Sequence, residues 1–123
     1  MSILTIAKIL AADKWARCVG PGWYPFVARC CLTVLENGGT IAQVKEKFGG
    51  LRLYADFPEE PEDSHSQLFL WDVYQNQIKK YIQAAETASY WICEECGTTR
   101  NNVTTKGGWL RTLCEPCHKS RYS

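Results

Sequence analysis

Histidine is scarce in this chain: two residues, His65 and His118, among 123. That leaves little material for general-base catalysis or imidazole-rich metal centres, the chemistry histidine serves near neutral pH. Net charge is scarce too. Fourteen Lys and Arg against thirteen Asp and Glu give +1, so no whole-molecule field draws the chain onto nucleic acid or an anionic membrane. No apolar run approaches the roughly 20 residues of a membrane span. The apolar start over residues 3–12 is broken by Lys8 and has neither a basic lead-in nor a small-residue cleavage site, so no secretory leader is expected. Repeats and low-complexity tracts are missing. With 46% hydrophobic and 22% charged residues, the composition excludes a disordered chain. The length suits one small domain, or one with a minute metal-stapled module.

Cysteine and aromatic residues are plentiful: seven Cys, five Trp, six Tyr and four Phe. The aromatics suit a packed core or a binding surface. An odd cysteine count with no leader argues against a secreted disulfide framework. The expected setting is a reducing, cytoplasmic one.

Four of the seven cysteines stand in two pairs, Cys93-Glu94-Glu95-Cys96-Gly97 and Cys114-Glu115-Pro116-Cys117-His118. Two intervening residues let both thiolates of a pair reach one ion, and two pairs complete the tetrahedron that zinc prefers. The seventeen residues between Cys96 and Cys114 fall within the four-cysteine zinc window and leave room for a short hairpin. Gly97 permits the left-handed backbone that closes a zinc turn. Cys93, Cys96, Cys114 and Cys117 are therefore the expected ligands of a structural zinc. Iron would satisfy the same thiolates. An all-cysteine shell keeps no open position for water, which separates it from catalytic zinc. His118 is then an exposed or supporting residue and not a ligand.

The rest of the chain reads as helices and one hairpin. Leu4, Ala7, Ala11, Trp15 and Cys18 recur at helical spacing over residues 3–18, and Gly20-Pro21-Gly22 stops the run. A second helix starts near Tyr24-Pro25, carries Val27, Cys30, Cys31, Val34 and Leu35 on its apolar face, and ends at Asn37-Gly38-Gly39. On that reading Cys18, Cys30 and Cys31 are core thiols. Residues 43–48 and 51–57 alternate as a β-hairpin, with Gly49-Gly50 at the turn. An acidic loop over 58–63 follows, a solubilising segment. A long helix near 66–90 then presents Trp71, Tyr74, Ile78, Tyr81, Ile82 and Ala85 on one side. His65 reads as a solvated loop residue. Gly107-Gly108 is a bend before a strand at 109–113. The expected fold class is α+β, with helices packed on a small hairpin over residues 1–90 and a zinc ribbon over 91–123.

The cysteine pairs, with Leu113-Cys114-Glu115-Pro116-Cys117-His118-Lys119-Ser120-Arg121, resemble the outer pairs of HNH-type endonucleases. Those enzymes carry an Asp-His or His-His element between the pairs. Residues 97–113 hold no histidine and no acid, so the resemblance implies the zinc ligands and not the nuclease base. Trp23-Tyr24-Pro25, Lys45-Glu46-Lys47-Phe48-Gly49-Gly50-Leu51-Arg52 and the closing Gly107-Gly108-Trp109-Leu110-Arg111-Thr112-Leu113-Cys114 are similar to a group of small bacterial and phage proteins. That resemblance implies a phage or mobile-element origin, where small proteins act by binding and blocking host machinery.

The sequence thus predicts a non-enzymatic zinc protein that grips a macromolecule, a protein partner first. Trp23, Tyr24, Tyr54 and Trp109 are the aromatics for that surface, with Arg52 and Tyr54 on the outer hairpin face. The alternative is a nucleic-acid-binding zinc ribbon descended from HNH nucleases, using Arg100, Lys106, Arg111, Lys119 and Arg121 with Trp109 and Tyr122. An active nuclease with an unusual metal site is a third reading. No membrane partner is expected, and oligomeric state is open.

Overall fold

The computed structural model describes residues 2–57 and 65–122, the side chains of 65–71 and 122 excepted. Helix α1 (Ile3–Ala16) begins where the Ser2 hydroxyl accepts the Thr5 amide at 3.1 Å, satisfying one of the free donors of a helix start. It lies against α2 (Tyr24–Glu36) and buries Ala12 and Ala16 there. The expected stripe differs. Leu4 and Ala7 are exposed and Ala11 and Trp15 half-buried. Apolar residues surround this helix, so periodicity alone selects no face, and the small alanines let α2 approach most closely. Cys18 is exposed and not in the core, because the helix ends at Ala16 and its spacing no longer governs the next turn.

Helix α2 follows its expectation. Pro25 sits in the first turn, Val27, Cys30, Cys31 and Val34 are buried, and the Gly39 amide returns to the Val34 carbonyl at 3.0 Å. Cys30 and Cys31 are core thiols; burial pushes both up, with Cys31 raised to about 12 by burial and then by the neighbouring Cys30 and Cys18.

Strands β1 (Thr40–Lys47) and β2 (Gly50–Asp56) pair antiparallel, with Lys47 opposite Gly50 and a bulge between Ile41 and Gln43. Residues β1 adds before 43 belong to this bulged start. The turn is Phe48-Gly49, not Gly49-Gly50: φ is 55° at Phe48 and 83° at Gly49, the double positive φ of a type I′ turn. Leu51 and Leu53 face the core while Tyr54 and Asp56 face out. Helix α3 (His65–Ala88) packs on β2. Ile78 and Ala85 are buried and Tyr74, Tyr81 and Ile82 half-buried, as their spacing predicts. The side chains of Trp71, His65 and Tyr122, and the acidic run 58–63, lie outside the described residues.

The outer edge of β2 is closed by side chains. The Leu51 amide donates to Ser89 Oγ and the Leu53 amide to Glu86 Oε2, each at 2.9 Å. A 3-10 turn (Ser89–Trp91) leads to a second two-stranded sheet, β3 (Thr104–Lys106) with β4 (Arg111–Leu113), and to α4 (Glu115–Tyr122). The expected strand at 109–113 is shorter, because Trp109 and Leu110 belong to the hairpin turn. The architecture is α+β. Trp23, Val27, Val34, Val44, Leu51 and Leu53 centre the larger core, and Cys93, Leu113 and Cys114 the smaller. Trp23, expected on a binding surface, is fully buried, and its indole donates to the Ile92 carbonyl at 2.7 Å. Among the described residues no helix is long and apolar enough to cross a membrane.

Candidate metal centre

Two short backbone devices bring the cysteine pairs together. At the first pair, the Cys93 amide reaches the Thr98 carbonyl at 2.9 Å and the Gly97 amide reaches the Cys93 carbonyl at 3.0 Å. Gly97 takes φ 79°, the left-handed value its position predicts. At the second pair, Cys114 precedes α4 and Cys117 lies within its first turn. The helix was not read from sequence, and it orients the second pair toward the first. All four Sγ atoms lie within 4.8 Å of one another, with Cys96 and Cys114 at 3.7 Å. A tetrahedral ion with bonds near 2.3 Å needs sulfurs about 3.8 Å apart, so the cluster fits one divalent ion. Burial opposes ionisation of Cys93, yet backbone hydrogen bonds at Cys96, Cys114 and Glu95 outweigh it and bring its thiol down to about 7. Thiolate is the form a metal takes. These four residues form a possible metal-binding site, and zinc matches its donor set.

Glycines seat this centre on the rest of the molecule. A Cβ on Gly22 would collide with the Cys93 carbonyl and the Gly97 amide, and one on Gly20 with the Glu94 carbonyl. The Gly22 amide donates to the Glu94 carbonyl at 2.7 Å. On the other side, Gly49 is pressed against Thr105 and Gly50 against Tyr90, and the Thr112 hydroxyl donates to the Gly49 carbonyl at 2.5 Å. Gly50 is therefore needed for close approach and not for the turn.

Glu94 is the functional residue the sequence reading missed. Its side chain is 2% exposed. The carboxylate accepts the Thr112 amide at 2.7 Å and meets Arg111 Nε at 3.2 Å, while the Glu94 amide donates to the Thr112 carbonyl at 2.9 Å. Burial pushes its carboxyl up, against the pull of Thr112 and Arg111. A glutamate inside a CxxC looks solvated, and only the fold turns it inward.

No family model, no curated protein and no solved structure matches the chain. The site stands on its geometry.

The other candidate residues scatter. His118 is buried, its Nε2 2.8 Å from the Thr104 carbonyl, so it ties α4 to β3 and lies outside the ligand cluster. Arg111 is half-buried and also paired with Glu95 at 3.3 Å, so it is occupied within the protein and not presented to phosphate. Lys119 pairs with Glu115 at 3.1 Å. Arg52 is half-buried, donating to the Leu51 carbonyl at 2.9 Å and bonded to Tyr90. Tyr54 is exposed beneath Lys45, whose Nζ lies 5.6 Å from its ring centre. Arg100 is exposed. Tyr24 is half-buried beside Arg17.

Trp109, 75% exposed, falls into a different grouping. It shares a cleft of about 520 Å³ with Phe48, Leu110, Gly108, Glu46 and Lys47. The cleft lies between the tips of the two hairpins. Phe48 is 64% exposed and occupies a left-handed turn position, a conformation that costs a bulky side chain roughly 1–2 kcal/mol.

Proposed function

We propose that this chain is a non-catalytic zinc protein that works by gripping a protein partner. The cleft between the hairpin tips carries this reading. Two exposed aromatic rings, one held at an unfavourable backbone angle, form the kind of anchor that dominates protein interfaces. The zinc's part would be to fix the Trp109 hairpin beside the Phe48 hairpin. Four thiolates around one ion leave no position for a reacting water, and residues 97–113 offer no acid or histidine as a base. We place the partner in host machinery on the resemblance to phage and bacterial proteins, with a blocking role.

Exposed Arg100 and Lys106 on the module that bears Trp109 support a second reading, contact with single-stranded nucleic acid. Two cations give only a shallow salt dependence, which ranks it below a protein partner.

Zinc-loaded protein immobilised against a bacterial lysate tests both. One stoichiometric protein should be retained by the natural chain and lost with Trp109→Ala and Phe48→Gly, both of which keep the zinc. Retention of nuclease-sensitive nucleic acid in its place would support the second reading. Metal-dependent cleavage of DNA or RNA by the purified chain would overturn both.

A further inference from the structure

Helix α1 carries a second apolar face that the fold leaves open. Ile3 is 87% exposed, Leu4 66% and Leu10 63%, with Ile6 and Ile9 also exposed. At 3.6 residues per turn, Ile3, Ile6, Ala7 and Leu10 fall within one arc of about 100°, opposite the side on which Ala12 and Ala16 meet α2. No charged residue interrupts that arc between Ile3 and Leu10, since half-buried Lys8 lies on the side of Ala12. A helix apolar on opposite sides is one buried on both.

We infer that this face is covered by α1 of a second copy, making the protein a two-fold dimer. Area is the first argument. Ile3, Ile6 and Leu10, with Leu4 at the edge of the arc and Ile9 left out because it turns toward the α2 side, present on the order of 500 Å² of apolar surface, at the upper end of what a monomer tolerates. The neighbouring Ala7 and the stems of flanking residues bring the face toward the roughly 800 Å² per partner of a stable interface. Chemistry is the second. With no charge on the stripe, nothing there selects a partner of opposite sign, whereas an isologous contact needs only self-complementarity. Run antiparallel, the stripe sets Ile3 against Leu10 and, large against small, Ile6 against Ala7 of the other copy, and opposes the two helix dipoles. A membrane surface fits less well, because an interfacial helix needs several cations for anionic headgroups and Lys8 is the one cation in residues 2–13.

Sedimentation equilibrium of the full zinc-loaded chain tests this. A mass twice the 14.0 kDa of the protomer is expected at micromolar concentration. Ile6→Glu with Leu10→Glu should weaken dimerisation by at least about 100-fold, since two carboxylates per copy would be buried unpaired. Both side chains are exposed in the protomer, so helical content and bound zinc should remain as they were. A natural chain that stays monomeric to about 100 µM would overturn the inference. So would a dimer that survives the double substitution, or a monomer that pellets with phosphatidylserine vesicles through this face. The outcome is independent of the hairpin-tip cleft, which the Trp109 and Phe48 variants report.

Discussion

Gly22 has no space for a methyl group, because its Cα faces the carbonyl of Cys93 and the amide of Gly97. Backbone cannot step aside as a flexible side chain can. Gly22→Ala is expected to cost about 2–3 kcal/mol in urea unfolding of the metal-loaded protein, and to weaken metal retention against a chelator. Glu94→Gln keeps the shape but removes the buried carboxylate from Arg111, which is left with the exposed Glu95 alone; about 1–2 kcal/mol should be lost in the same measurement. Cysteine reactivity sorts the thiols independently. Iodoacetamide should label exposed Cys18 alone while metal is bound, then Cys93, Cys96, Cys114 and Cys117 after chelation. Cys30 and Cys31, whose thiols burial holds protonated, should react only on unfolding. Peptide mapping by mass spectrometry reads all seven.

At the scale of elements, strand β2 depends on α3 for more than apolar contact. Glu86 and Ser89 take the amides of Leu53 and Leu51 in place of a third strand. Glu86→Ala should therefore cost about 1–3 kcal/mol and speed hydrogen exchange at Leu53, while Thr87→Ala, exposed on the same helix, should do neither. The hairpin turn offers a gain of stability. Phe48→Gly relieves a left-handed phenylalanine and should raise stability by about 1 kcal/mol even as it removes half of the aromatic cleft. These elements also show what the sequence could tell. The CxxC pairs, Gly97 and the faces of α2 and α3 depend on spacings of a few residues, and those were legible. The turn was displaced by one residue because two adjacent glycines offer positive φ equally well, and only Tyr90 shows that Gly50 is small for another reason. The buried side of α1 was illegible for a related cause, since a helix apolar all round gives periodicity nothing to choose between. Trp23 was misplaced and Glu94 missed because residues distant in the chain decide their burial, whereas Cys18 was misplaced because the helix stops at Ala16.

Across the whole molecule, the metal centre and the N-terminal helices share contacts that make their stabilities interdependent. Structural zinc contributes about 10–16 kcal/mol in small peptides. A metal held by these four cysteines should stabilise the larger core as well, through the Trp23–Ile92 and Gly22–Glu94 hydrogen bonds. Chelation should accordingly lower the melting temperature of the entire chain and expose the Gly22 amide to exchange, even though it lies some seventy residues from the ligands. A melt in which the helices are indifferent to chelator would contradict this coupling. The first hairpin has its own bearing on behaviour at high concentration. No strand pairs with the far side of β1 among the described residues, and this edge strand carries Lys45, Lys47 and the kink between Ile41 and Gln43. Lysines and a kinked ribbon deter cross-chain β-pairing, so the protein should stay clear on storage as a concentrated solution, and exchanging both lysines for valine should turn it toward fibrils that bind thioflavin.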